Sequence, residues 1–131
     1  MIPTKKIDSG NAPAAIGPYS QAIRAANTIY LSGQIGLNVK TGKLVEGGIE
    51  AETKQALENL KAILFSAEMN LTSVVMVNVY LTDMDDFSKM NEVYATYFTT
   101  PYPARAAVAV KQLPKNAKVE ISAVAVKESN L

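Results

Sequence analysis

No histidine, cysteine or tryptophan occurs among the 131 residues, and of the 13 basic side chains only Arg24 and Arg105 are arginines. Without cysteine there is no disulfide, no thiolate nucleophile and no thiolate metal site. Without histidine, a Ser-His-Asp triad and an imidazole zinc site are excluded. Acid–base chemistry therefore falls to carboxylates, tyrosine, lysine, hydroxyls or bound water. A carboxylate-only Mg²⁺ or Ca²⁺ site would need an acidic cluster. The only one, Asp83, Asp85 and Asp86, stands where a helical pattern begins and reads as a cap and dipole complement. Long apolar runs are missing too: none approaches the roughly 18 residues of a membrane span. The opening Met-Ile-Pro-Thr-Lys-Lys has no hydrophobic segment behind its charges, so no secretory signal is expected and the location expected is cytoplasmic. A net charge of +1 with scattered lysines gives no basic stripe, which argues against nucleic acid as a partner.

What is present is 48% hydrophobic and 19% charged, the balance of a globular chain, and its length fits a single domain over 1–131. Residues 1–18 carry Pro3, Gly10, Pro13, Gly17 and Pro18 and read as irregular. Ile23-Arg24-Ala25 and Thr28–Ser32 read as two antiparallel strands joined by a tight turn at Ala26-Asn27. Gly33 and Gly36 suggest a bulge or a close backbone approach, and Leu44-Val45 a short edge strand. From Ile49 the period becomes helical: Ile49, Thr53, Ala56, Leu57, Leu60, Ile63, Leu64 and Ala67 share one face, with Glu50, Glu52, Lys54 and Glu58 opposite. Asn70 is the expected left-handed stop. Val74–Thr82 is a β-branched strand with Val75, Val77, Val79 and Leu81 on one face and Val74, Met76, Asn78 and Tyr80 on the other. Both faces are apolar, and one helix layer covers only one, so the other is expected to meet another subunit. A second helix is capped by Asp83 or Asp85 and runs to about Phe98; Phe87, Met90, Asn91, Tyr94, Tyr97 and Phe98 form its buried stripe, on which Asn91 is the one amide. A buried amide needs partners, so Asn91 either ties down a loop or reaches a ligand.

Tyr102–Val110 holds the candidate site. Pro103 starts a strand in which Arg105, Ala107 and Ala109 alternate with Ala106, Val108 and Val110. A planar guanidinium inside an apolar run calls for an anion: an internal carboxylate, or a ligand's carboxylate or phosphate. The two alanines leave room for a small anion beside it. If this strand and Lys118–Val126 form a hairpin about Pro114-Lys115, one face collects Arg105, Ala107, Ala109, Glu120 and Ser122, a hollow suited to a small acid. The element order predicts an α+β two-layer sandwich, two helices on one face of one mixed β-sheet.

Gly-Pro-Tyr-Ser-Gln-Ala at 17–22, Leu-Ser-Gly-Gln-Ile at 31–35, Tyr-Pro-Ala-Arg-Ala-Ala-Val at 102–108 and Val119-Glu120-Ile121 together resemble the RidA/YjgF family of reactive-intermediate deaminases. The resemblance implies a chorismate-mutase-like fold, a homotrimer with ligand sites in clefts between subunits, and hydrolysis of 2-imino acids without cofactor or metal. It implies that Arg105 holds the substrate carboxylate and Glu120 positions or activates water, with Tyr19, Ser32, Gly33, Asn91 and the backbone of Ala107 lining the pocket. Many relatives carry cysteine at the position of Ala107, so a thiol role is closed to this chain. Two rival readings remain open: a non-catalytic sensor of 2-keto acids using the same arginine, and an endoribonuclease or translation inhibitor, against which charge and composition argue. A generic chaperone would leave Arg105 unexplained.

Overall fold

The computed structural model describes residues 2–127. Its strands are β1 (Thr4–Ile7), β2 (Ala22–Ala25), β3 (Thr28–Gln34), β4 (Val74–Leu81), β5 (Ala104–Ala109) and β6 (Val119–Val126); its helices are α1 (Gly48–Ser66) and α2 (Phe87–Ala95). All six strands form one sheet in the order β1-β2-β3-β6-β4-β5. Only β4 and β5 are parallel. The result is a mixed α+β fold of one sheet and two helices, as the element order predicts.

The expected hairpin of the last two strands does not form. Helix α2 lies between β4 and β5 in the chain, and a helical crossover returns the chain parallel to the strand it left. β5 therefore adds beside β4 at the sheet edge, and β6 enters between β3 and β4. The connection crosses the end of β4, where Val110 N donates to Leu81 O at 2.7 Å and Thr82 N to Lys118 O at 3.2 Å.

Both helices cover the same face. Leu57, Leu60, Ile63 and Leu64 of α1 and Met90 and Tyr94 of α2 pack on Ile29, Val77, Val79 and Ile121 of the sheet. Each such aliphatic side chain, fully buried, is worth roughly 1.5–3 kcal/mol of transfer free energy. The helical stripe predicted for α1 is the buried one, with one addition. Glu52, expected on the solvent face, is 5% exposed, and its Oε1 accepts a 2.8 Å hydrogen bond from Lys118 N. Asn59, also buried, donates to Ile35 O and Leu37 O at 3.2 and 3.0 Å and so holds the segment after β3 against α1. Gly36 makes that approach possible: a Cβ there would lie 2.8 Å from the Glu52 Cα.

Other differences are local. β1 forms inside the stretch read as irregular, because Lys5 and Lys6 on an edge strand carry no burial pattern. The left-handed residue after α1 is Glu68 (φ 61°), whereas Asn70 is extended and its side chain accepts from Thr72 N. An irregularity between Val74 and Met76 buries Val74 and exposes Val75, reversing their expected faces. α2 stops at Ala95, after a short 3₁₀ turn in which Asp83 accepts from Asp85 N. Leu44 makes an isolated bridge to Leu37 rather than a strand. Among the described residues no helix is long and apolar enough to cross a membrane.

Candidate functional site

Arg105 stands opposite Val77 in the parallel register, which puts it on the helix side of the sheet at the open edge. There its long side chain reaches beneath α2 while staying half-buried. Nη1 donates to Asn91 Oδ1 at 2.7 Å. Cζ lies 4.6 Å from the Tyr94 ring centroid and 5.5 Å from that of Phe87, within cation–π range of both. Phe87, Asn91 and Tyr94 follow one another at i, i+4 and i+7, one helical face, so α2 presents an amide and two rings to one guanidinium. The ion pairs among the described residues are Lys6–Asp8 and Lys127–Glu68, and neither involves Arg105. A cavity of about 470 Å³ adjoins it, lined also by Asn91, Tyr94, Tyr102 and Pro103. The Tyr94 hydroxyl is buried without a hydrogen-bond partner among the described residues. Burial pushes its pKa up, and the nearby Arg105 charge works the other way. Ala107 shares this sheet face but packs against the core outside the cavity wall.

Glu120 lies elsewhere. It stands opposite Tyr80, on the face without helices, and burial raises its pKa above the ordinary glutamate value. Its carboxylate leans over β3: a Cβ on Gly33 would lie 2.7 Å from Glu120 Oε2. Gly33, Tyr19 and Glu120 line a second cavity of about 290 Å³, whose remaining wall includes Ile16, Ile35 and Leu37. Tyr19 is 52% exposed on its loop. Ser32 ties that loop down, its N donating to Gln21 O at 2.9 Å and its Oγ to Ser20 O at 2.6 Å. Its hydroxyl is thus engaged, and it is not part of the cavity wall.

The expected residues therefore fall into two sets. Arg105, Asn91 and Ala107 lie on the helix face, whereas Glu120, Gly33, Tyr19 and Ser32 belong to the open face or its rim. With β4 between β5 and β6, Arg105 and Glu120 are two strand spacings apart across the sheet and, standing opposite Val77 and Tyr80, three residues apart along it, roughly 14 Å in all, and they point to opposite sides. The single hollow expected to hold both within one chain is corrected accordingly. Sequence reasoning missed the aromatic bed of Arg105: Phe87 and Tyr94 are on the predicted helical stripe, but nothing local joins that stripe to a strand later in the chain. Among the described residues no three Asp or Glu side chains gather as a metal ion would require.

The sequence profile of the family described as Endoribonuclease L-PSP matches residues 9–127. The chain belongs to the RidA/YjgF family. It is 52% identical over 122 residues to the 2-iminobutanoate/2-iminopropanoate deaminase of Mus musculus, covering 93% of this chain and 90% of that protein. A RutC family protein of Pyrococcus horikoshii is 56% identical over 118 residues, covering 90% and 94%. The crystal structure of RidA from an Antarctic Psychrobacter superposes with a TM-score of 0.91 at 46% identity, covering 94% of this chain and 99% of that one. Membership with deaminase-named relatives at this identity supports imine deaminase activity at the level of the family. Of the residues in the motifs that resemble RidA/YjgF, Tyr19, Gly33 and Glu120 line one cavity and Arg105 the other, whereas Ser32 and Ala107 line neither.

Proposed function

We propose that the chain, as one domain over 1–131, is a cytoplasmic homotrimeric hydrolase that converts 2-imino acids to 2-keto acids and ammonia without metal or cofactor. The observation that carries this reading is a guanidinium held by an amide and two rings, with no carboxylate in ion-pair reach among the described residues, at the wall of a cavity. Such a fork suits the carboxylate of a small acid.

The two half-sites belong on neighbouring subunits. The open face leaves Tyr30 53% and Val108 46% exposed, beside half-buried Met76, Asn78, Tyr80 and Val124, a surface suited to a second copy. Where the open β5 edge of one subunit meets the next copy, Arg105 and Asn91 of the first face Glu120, Tyr19 and Gly33 of the second.

The chemistry then needs little more than placement. Arg105 fixes the carboxylate, and the C2=N carbon is already electrophilic. Glu120, as carboxylate, takes a proton from a water whose oxygen bonds to C2, giving a tetrahedral carbinolamine. That proton passes to the nitrogen, completing the amino group of the carbinolamine. Glu120 then takes the carbinolamine hydroxyl proton and hands it to the same nitrogen as the C–N bond breaks, so ammonia leaves and the C2=O bond remains. Glu120 ends as carboxylate. A partly desolvated glutamate with raised proton affinity suits both transfers.

Two experiments test the reading. The purified protein is coupled to a Ser or Thr dehydratase, and keto-acid appearance should outrun the spontaneous rate. Arg105→Ala and Glu120→Ala chains, each inactive alone, are then unfolded together and reassembled; random mixing should restore about a quarter of the sites. No recovery would place both groups in one subunit's site. If Glu120→Ala and the parent bind keto acid alike and neither releases ammonia, the protein is a sensor.

A further inference from the structure

The cavity beside Glu120 is larger and more apolar than the smallest 2-imino acids require. A methyl or ethyl side chain leaves most of its 290 Å³ unfilled. Two of its wall residues, Ile16 and Val39, are large apolar side chains left 83% and 40% exposed. Neither belongs to either hydrophobic core cluster of the described residues. They come from separate segments, the loop between β1 and β2 and the stretch after β3, yet line one cavity with Ile35 and Leu37. Glu120, Tyr19, Gln21, Gln34, Asn38 and Lys115 supply polar groups to that same cavity. Polar groups set beside an apolar wall are the pattern of a pocket that orients a ligand at one end and buries its hydrocarbon at the other.

We propose that this cavity is a side-chain subsite, and that the preferred substrates are 2-imino acids with apolar side chains of about four carbons or more. The inference rests on the deaminase reading and adds the substrate class. With the reacting carbon beside Glu120, the side chain lies along Ile16, Ile35, Leu37 and Val39. Each buried methylene favours binding about fourfold.

The test generates imines in situ with an L-amino-acid oxidase from leucine, methionine or alanine, and compares kcat/KM for their hydrolysis. The leucine- and methionine-derived imines should exceed the alanine-derived one by about tenfold or more. The double variant Ile16→Ser/Val39→Ser changes only exposed positions, so its fold should persist, and the leucine-to-alanine ratio should collapse towards one. In parallel, calorimetry with the stable products should show 4-methyl-2-oxopentanoate binding more tightly than pyruvate to the parent. A ratio near one in the parent, or the parental ratio in the double variant, overturns the subsite while leaving the deaminase reading intact. So does dissociation of the assembly by the double variant, which would make Ile16 and Val39 subunit contacts. Acceleration of none of the three imines sinks the deaminase reading itself.

Discussion

Asn91 Oδ1 accepts one N–H of Arg105 at 2.7 Å, and that hydrogen bond fixes which edge of the guanidinium remains for a ligand. In Asn91→Ala the cation keeps its two rings but loses its tether, so the fork swings. A charge-assisted hydrogen bond is worth about 1.5–3 kcal/mol, less here because Arg105 is half-exposed. We expect KM for the imino acid to rise about tenfold, with a smaller change in kcat, measured by steady-state hydrolysis of the same imine. An unchanged KM removes the tether role.

Gly33→Ala separates stability from activity. The new methyl would meet the end of the Glu120 side chain, not backbone, so the carboxylate can move aside. Unfolding free energy should change by no more than about 1 kcal/mol, while kcat falls about a hundredfold because the base is displaced by roughly 1 Å. A fully active Gly33→Ala enzyme would show that the position of Glu120 above β3 is immaterial.

The raised pKa of Glu120 has two consequences with a definite sign. Desolvation favours the protonated form in the folded state, so folded Glu120 holds its proton to higher pH than in the unfolded chain. The carboxylate is the working base, so kcat/KM should climb with pH along an acid limb lying above the ordinary glutamate range. Glu120→Gln should abolish that limb along with most turnover. For stability, the raised folded pKa means the favourable contribution is complete below the unfolded pKa and is lost as pH rises through the folded one. Glu120→Gln, which never ionises, should therefore be more stable than the parent at neutral pH, with the difference vanishing on acidification. Parallel urea titrations at the two pH extremes read this out.

Glu52 gives a prediction unconnected with catalysis. Glu52→Ala leaves the Lys118 N–H without its acceptor beside a buried helix face. The expected cost is about 1–3 kcal/mol, read from the midpoint of urea unfolding at fixed protein concentration. A shift below about 0.5 kcal/mol means water replaces the carboxylate at no cost.

The buried stripe of α1, the β2–β3 turn at Ala26 and the paired elements β4 and α2 were legible from residue order alone, because each depends on geometry that repeats within a few residues. Gly33 and Gly36 announced a close backbone approach for the same reason, and Arg105 stood out as a lone guanidinium among methyl groups. Which neighbours those residues would meet was decided only by the three-dimensional arrangement. Alternation says that Arg105 and Ala107 share a face, but not that β4 separates them from Glu120, since strand order depends on contacts between distant segments. Glu52 looked like a solvent residue until the chain brought Lys118 N to it, and Phe87 and Tyr94 looked like ordinary core until β5 laid a cation across them. Local period determined the elements; the long-range pairing of β5 with β4 and of β6 with β3 and β4 decided that one chain carries two half-sites facing away from each other.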